Sequence, residues 1–176
     1  MNLKFFPFLA LLGVAACSFA DENKVDTVTA IKTADIKSDV SLLKGVQAVS
    51  TGQPDAEILA IAKEAGFTTV VDMRRPAEDR GMDEAAEVAA LGMSYITLPV
   101  DGANGVTYDN AAELDKILAA ADGPVLLHCA SGNRVGALHA LSRKMAGASS
   151  DEALAAGKAA GLTRLEPVVV ERLQEK

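Results

Sequence analysis

At 176 residues the chain has the length of a single domain, and its net charge of −7 argues against a nucleic-acid binder. No Lys/Arg cluster suggests a membrane-surface patch. Aromatic residues make up only 4% and Trp is absent, while Ala, Val and Leu abound, which favours helix-rich α/β packing over a β-sandwich.

From the N-terminus, Lys4 precedes an apolar run over residues 5–16, then small residues and the acidic pair Asp21-Glu22. The run, broken by Pro7, is too short to span a bilayer but suits the h-region of a secretory signal. Two processing sites compete. Ser18-Phe19-Ala20 has the small-x-small cleavage pattern and defines a signal over residues 1–20. Val14-Ala15-Ala16-Cys17 resembles a bacterial lipobox, which ends the signal at residue 16 and makes Cys17 a lipid anchor. Either route predicts export to the periplasm or cell envelope without a transmembrane span, and leaves Cys129 as the only free thiol. An unpaired thiol is a liability in an oxidising compartment, so one retained there suits a reactive role better than a packing role.

Residues 21–40 mix Asp, Lys, Thr and isolated Val or Ile without sustained periodicity and read as a linker, with the folded domain over residues 41–176. From there strands alternate with helices. Residues 46–50 suggest a strand, and Pro54 begins a helix whose buried face is Ile58, Leu59, Ile61, Ala62 and Ala65 and which closes at Gly66. Residues 67–71 suit a central strand, residues 83–91 a helix closed by Gly92, and residues 95–100 the next strand. Thr107 or Asp109 caps a helix reaching about residue 121, with Leu114, Ile117 and Leu118 as its stripe. Residues 124–128 form a further strand and 135–145 a further helix. Ser149-x-x-Glu152 and Thr163-x-x-Glu166 are capping-box patterns that start two more helices, with Pro167 tolerated in the first turn of the second. This alternation implies an α/β fold, a mostly parallel sheet flanked by helices on both faces.

Residues 128–136, His-Cys-Ala-Ser-Gly-Asn-Arg-Val-Gly, join the last strand to its helix. A strand-to-helix loop turns several backbone N–H groups into one concavity, and the helix adds partial positive charge, making an anion cradle. Cys129 in that cradle is stabilised as a thiolate nucleophile. Gly132 permits the turn, and Arg134 supplies a planar fork able to grip two oxygens of a phosphate. The backbone of Ala130, Ser131, Gly132, Asn133 and Arg134 forms the phosphate cradle.

This loop resembles the signature of the cysteine-dependent phosphatase superfamily: His-Cys, five residues, then Arg. Ser50-Thr51-Gly52-Gln53-Pro54, Val70-Val71-Asp72-Met73-Arg74 and Tyr95-Ile96-Thr97-Leu98-Pro99-Val100 are similar to segments of a bacterial branch. That branch is the dual-specificity-like phosphatase domain named after β-lactamase-hydrolase-like proteins. The resemblance spans about residues 41–147. It implies a protein-tyrosine-phosphatase-like fold and hydrolysis of phosphate monoesters through a thiophosphoryl enzyme. It implies no metal or organic cofactor, and a phosphorylated protein or small molecule as substrate. One departure stands out: many members carry Ser or Thr directly after the Arg, and here the residue is Val135.

The chemistry also needs an acid for the leaving oxygen. Asp101 opens the mobile segment Asp101-Gly102-Ala103-Asn104-Gly105 after a strand ending on the cradle side, and the resemblance takes the acid from that loop. Asp109 is the rival, better suited to capping a helix. His128 suits a structural role, its ring bonding backbone to stiffen the cradle, and His139 a place in the core or on the surface. Two His and one available Cys without paired spacing fall short of a zinc set. Arg74 is expected to pair with Glu78, four residues on. Two further readings remain open. A rhodanese-like sulfurtransferase also uses a Cys cradle, though a shorter one. A non-catalytic phospho-ligand binder would fit the loss of the hydroxyl at Val135.

Overall fold

Five parallel strands make one sheet in the order β1-β2-β5-β3-β4 in a computed structural model that describes residues 27–175. The strands are β1 (Thr29–Ala30), β2 (Ala48–Thr51), β3 (Thr69–Asp72), β4 (Ser94–Thr97) and β5 (Val125–His128). The helices are α1 (Thr33–Ser38), α2 (Ala56–Glu64), α3 (Glu84–Ala90), α4 (Tyr108–Ala120), α5 (Asn133–Met145), α6 (Ser150–Ala159) and α7 (Glu166–Gln174).

The layers follow from the period-two alternation of side chains along a strand. Ala48, Val71, Val125 and Leu127 face one side, where Leu114 and Leu118 of α4 and Val135 and Leu138 of α5 cover them. Val49, Val70 and Leu126 face the other, against Ile36 of α1, Ile58, Leu59 and Ala62 of α2 and Val88 of α3. The sheet is therefore buried on both faces, as parallel sheets are, and the expected α/β architecture holds. A third cluster, with Leu141, Ala153, Leu162, Val169 and Leu173, packs α6 and α7 onto the outer side of α5.

Two expectations change. Residues 27–40 fell within the supposed linker, yet β1 pairs with β2 and Val28 and Ile36 are buried. Their apolar residues are too few and too widely spaced to show a period, so tertiary packing rather than local pattern orders them. Thr163 does not cap α7, which starts beside Leu165 with no side-chain cap: the Glu166 N–H that a Thr163 cap would accept from donates to the Thr163 carbonyl instead. The other box forms as expected: Ser149 Oγ accepts from the Glu152 N–H while Glu152 accepts from the Ser149 N–H. At α4, Thr107 is the cap, and Asp109 is exposed in the first turn. The signal and the Cys17 anchor lie outside the described residues. Among the described residues no helix is long and apolar enough to cross a membrane.

The tightest packing is where α5 meets α6. A Cβ at Gly136 would lie 2.2 Å from the Leu162 amide nitrogen and 2.6 Å from the Gly157 carbonyl oxygen, both backbone atoms unable to step aside. Gly136→Ala is therefore expected to destabilise the fold by about 1–3 kcal/mol through overpacking, read as a lower urea midpoint. An unchanged midpoint would show that the two helices separate at little cost.

Candidate active site

β5 is the central strand, and its neighbours β2 and β3 both end level with His128, Thr51 on one side and Asp72 on the other. Immediately beyond, the chain turns into α5 through Cys129, Ala130, Ser131 and Gly132. Gly132 has φ +79°, the left-handed conformation a side chain resists, and a Cβ there would meet Ser50 Oγ at 3.3 Å. On the β2 side the loop backbone lies against Gly52, which forms an antiparallel bridge with Ser131. The first bond of α5 runs from the Gly136 N–H to the Gly132 carbonyl. The N–H groups at the start of the helix thus have no intrahelical acceptor, the condition for an anion site.

Cys129 is 1% exposed at the floor of this turn, whereas Ala130 and Ser131 are exposed at its rim. Cys129, Ala130, Ser131, Asn133 and Arg134 line a cavity of about 250 Å³. Gly132 is the turn residue of the same loop. The expected cradle residues are thus brought together, with one refinement. The Asn133 side chain points away from any ligand role: its Oδ1 accepts from the Thr163 N–H (2.8 Å), the Thr163 hydroxyl (3.2 Å) and the Leu165 N–H (3.3 Å). Only its backbone serves the cradle.

Arg134 is held on one edge. Its Nη1 donates to the Met73 carbonyl (2.9 Å) and to Glu78 Oε1 (2.8 Å), and Nη2 donates to Glu78 Oε2 (2.7 Å). A guanidinium has about five N–H donors; these three bonds leave Nε–H and one Nη2–H, side by side on the opposite edge. That edge has the spacing to grip two oxygens of one phosphoryl group. The Arg134 bonds lower the Glu78 carboxyl to about 2; burial opposes the shift, and the Arg75 N–H and the nearby Arg74 charge reinforce it. Reciprocally, the Glu78 bonds push Arg134 up against the opposing effect of burial.

The expected Arg74–Glu78 pair is present at 3.4 Å, but Glu78's principal partner is Arg134. No local pattern links residues 56 apart in sequence. What could have found the pair is the adjacency of β3 and β5, which puts the loop after β3 beside the cradle.

Under the cradle lies a buried polar cluster. His128 Nε2 is 2.8 Å from Glu84 Oε1 and 3.7 Å from Asp72 Oδ1. The ring thus faces carboxylates rather than the backbone acceptors expected for it. Asp72 accepts from Arg80 Nε (2.5 Å), the Tyr95 hydroxyl (2.7 Å) and the Arg74 N–H (2.7 Å), and Glu84 accepts from Gln53 (3.0 Å). Burial and then the Asp72 bond push the Tyr95 phenol up. Asp72, Glu84 and His128 do place three ligand atoms within 4.8 Å of one another, a grouping invisible to sequence spacing. Both Asp72 oxygens are already engaged by donors, one of them cationic, whereas Glu84 Oε1 and His128 Nε2 face each other without a hydrogen bond. His139 is buried on α5.

Asp101 lies at the rim. It is exposed, its Oδ1 accepts from Arg75 Nη1 at 2.8 Å, and the next residue, Gly102, lines the cavity with Cys129. Asp109 plays no part in the cavity lining.

Residues 39–148 match the family described as beta-lactamase hydrolase-like protein, phosphatase-like domain. The chain belongs to this family. It is 30% identical over 116 residues to a beta-lactamase hydrolase-like protein of Xylella fastidiosa, covering 63% of this chain and 27% of that one. A protein of the same description from Agrobacterium fabrum is 29% identical over 100 residues, 54% of this chain and 23% of the relative. The chain thus spans about a quarter of the length of these relatives. Among solved structures, a proposed phosphatase of Neisseria meningitidis superposes with a TM-score of 0.61 at 22% identity, over 71% of this chain and 89% of the other. TpbA of P. aeruginosa, as a Cys-to-Ser variant in complex with phosphotyrosine, gives 0.55 at 22% identity, over 70% and 75%. Tk-PTP gives 0.52 at 20%, over 72% and 90%. These likenesses show the protein-tyrosine-phosphatase-like fold.

The Glu78 clamp has a measurable pH signature. Its carboxyl is lower in the folded chain than the usual 4.5, so the stability it contributes is present above pH 4.5 and is lost as pH falls toward about 2. Glu78→Gln is expected to cost about 1–3 kcal/mol at pH 7, since it leaves a part-buried guanidinium short of its charged partner. The stability gap between parent and variant should close between pH 4.5 and about 2, measured by denaturant titration across that window. A gap that is constant with pH would refute the clamp.

Proposed function

We propose that the chain is an exported cysteine-dependent phosphatase acting on phosphate monoesters. The observation that carries this reading is that Cys129, at the floor of a cavity at the α5 N-terminus, shares that cavity with Arg134, whose Nε edge is left free by its bonds to Met73 and Glu78. Family membership and the fold shared with TpbA support it, and the phosphotyrosine held by TpbA supports a phosphorylated side chain as one substrate class. Export rests on the N-terminal pattern of residues 1–20, with Cys17 as an alternative lipid anchor.

In the first step Cys129 Sγ attacks phosphorus. The S–P bond forms as the ester P–O bond breaks, and the departing oxygen takes a proton from Asp101. Backbone N–H groups of the loop and the Arg134 edge hold the equatorial oxygens as charge spreads over them. In the second step water attacks phosphorus and gives its proton to Asp101. The S–P bond breaks, releasing inorganic phosphate and returning the thiolate. Asp101 is paired with Arg75 at rest, so it must leave that partner to serve the leaving oxygen.

The direct test is turnover of an aryl phosphate. Cys129→Ser should abolish hydrolysis while leaving the fold and phosphate binding intact, because the cradle is mostly backbone, and Arg134→Ala should lose both binding and rate. Undiminished hydrolysis by the serine variant would sink the covalent mechanism.

Asp101→Asn should slow alkyl phosphates far more than activated aryl ones, whose leaving groups depart unaided. Equal loss on both classes would assign Asp101 to the rim structure alone.

Val135 is fully buried in the same apolar cluster as Cys129 and donates nothing to the sulfur. A hydroxyl there would stabilise the departing thiolate by on the order of 0.5–3 kcal/mol. Breakdown of the thiophosphoryl enzyme should therefore be slow, giving a burst of the first product and then a slower steady state. Val135→Thr should raise the steady-state rate without enlarging the burst. Linear progress curves from the first turnover in the parent would rule this out.

A further inference from the structure

The arginines around the cradle differ in one respect. Arg74 bonds Gln53, Arg75 bonds Asp101, Arg80 bonds Asp72, and Arg134 bonds Glu78. Arg164, which lines the same cavity as Cys129 and Arg134, has no hydrogen-bond or ion-pair partner among the described residues. Its position is nevertheless fixed. The N–H groups of the residues on either side of it, Thr163 and Leu165, both donate to Asn133 Oδ1, in the first turn of the cradle helix. Two residues before Thr163, the segment packs so closely that a Cβ at Gly161 would stand 3.2 Å from the Gly132 carbonyl oxygen. The backbone that carries Arg164 is thus pinned to the phosphate loop itself, while the guanidinium is left exposed and unsatisfied at the mouth.

We propose that Arg164 selects phosphate monoesters that carry a second anionic group beside the scissile ester. The inference rests on the cysteine-phosphatase reading of the cradle. Once the phosphoryl group is seated between the loop N–H groups and the Arg134 edge, the rest of the substrate must leave past the rim. The group next to the scissile ester then sits at the mouth of the same cavity, of about 250 Å³, which Arg164 lines. That neighbouring group meets a guanidinium with all its donors free, presented by backbone that does not have to be ordered on binding. The fork suits a carboxylate or a second phosphate, which it can grip through two parallel bonds. On the opposite rim the Arg75 cation is already engaged by Asp101, which leaves Arg164 as the cation without a partner there. An anion beside the ester is therefore drawn toward Arg164 rather than across the cavity.

The test compares two aryl phosphates that carry a carboxylate or an uncharged carboxamide at the same ring position, in meta and para versions. The parent should prefer the carboxylate by about 3- to 10-fold in kcat/KM, the scale of one exposed charge contact. The preference should lie mainly in KM and shrink as salt is raised. Arg164→Gln should erase it, and Arg164→Lys should restore part of it. The corresponding pair of non-hydrolysable phosphonates, measured by equilibrium binding to the same proteins, reads the preference without turnover. A carboxylate preference in binding with no turnover of either ester would overturn the phosphatase reading and keep the Arg164 subsite. Turnover of both esters with no preference in the parent, or a preference that survives Arg164→Gln, would overturn the subsite and keep the phosphatase.

Discussion

The site depends on a single shared cation. To present a flat edge to a phosphoryl group, as proposed, Arg134 must be rigid, yet it stands only three residues after an exposed turn at Ala130 and Ser131. Glu78 resolves this by taking the far edge of the guanidinium in two parallel bonds while the Met73 carbonyl takes a third. The carboxylate also balances a charge that would otherwise sit part-buried and unpaired when the cradle is empty, a costly arrangement. Everything else about the fold can be seen as what brings Glu78 to that place. β3 must neighbour β5, Met73 must continue the register past Asp72, and the loop after it must curl back, which Arg80 enforces by bonding Asp72, Glu78 and the Arg74 carbonyl together.

The cradle is braced from three directions with different chemistry. Toward β2 it leans on backbone, where Gly52 lets Ala130 and Ser131 approach. Beneath it Asp72, Glu84 and His128 replace what would be apolar core with a polar cluster, in which Asp72 and Glu84 are hydrogen-bonded outward to Tyr95, Arg80 and Gln53 and His128 Nε2 stands close to Glu84 without a hydrogen bond. Toward α6 and α7 it is fastened by Asn133, whose one oxygen takes three donors. The satisfied contacts of Asn133 and Asp72 specify one loop geometry where apolar packing alone would allow several. Such definition is what positioning a nucleophile under phosphorus requires.

How much of this was legible beforehand follows from the range of each interaction. The helix caps at Asp55, Asp83, Thr107 and Ser149 and the closing glycines are local, so the elements between them stand close to where their patterns put them. The cradle is also local, a strand end, a turn and a helix start within nine residues, and its members came together as expected. Glu78 with Arg134, Asn133 with Thr163 and Glu84 with His128 join segments far apart in the chain, and only the strand order makes them neighbours. Sequence pattern alone does not dictate that β5 inserts between β2 and β3. The same reason hid β1 and α1: each is too short to carry a period, and both exist because β2 and α2 offer them a surface. Thr163 shows the reverse error, a local pattern overruled because the Glu166 N–H it would have capped donates to the Thr163 carbonyl.

The floor and rim of the cavity divide the work between rigidity and choice. At the floor, Cys129 is 1% exposed and His128 and Asp72 are fully buried, so the position of the sulfur is set by the core. The rim is the opposite: Arg75, Asp101 and Arg164 are exposed, two of them paired with each other and the third unpaired. Substitution at the rim changes no packed volume, whereas a change at the floor disturbs β5 and both its neighbours. Under the proposed function, discrimination between one phosphate ester and another would belong to the three solvent-facing charges, and the attack on phosphorus to the buried floor they surround.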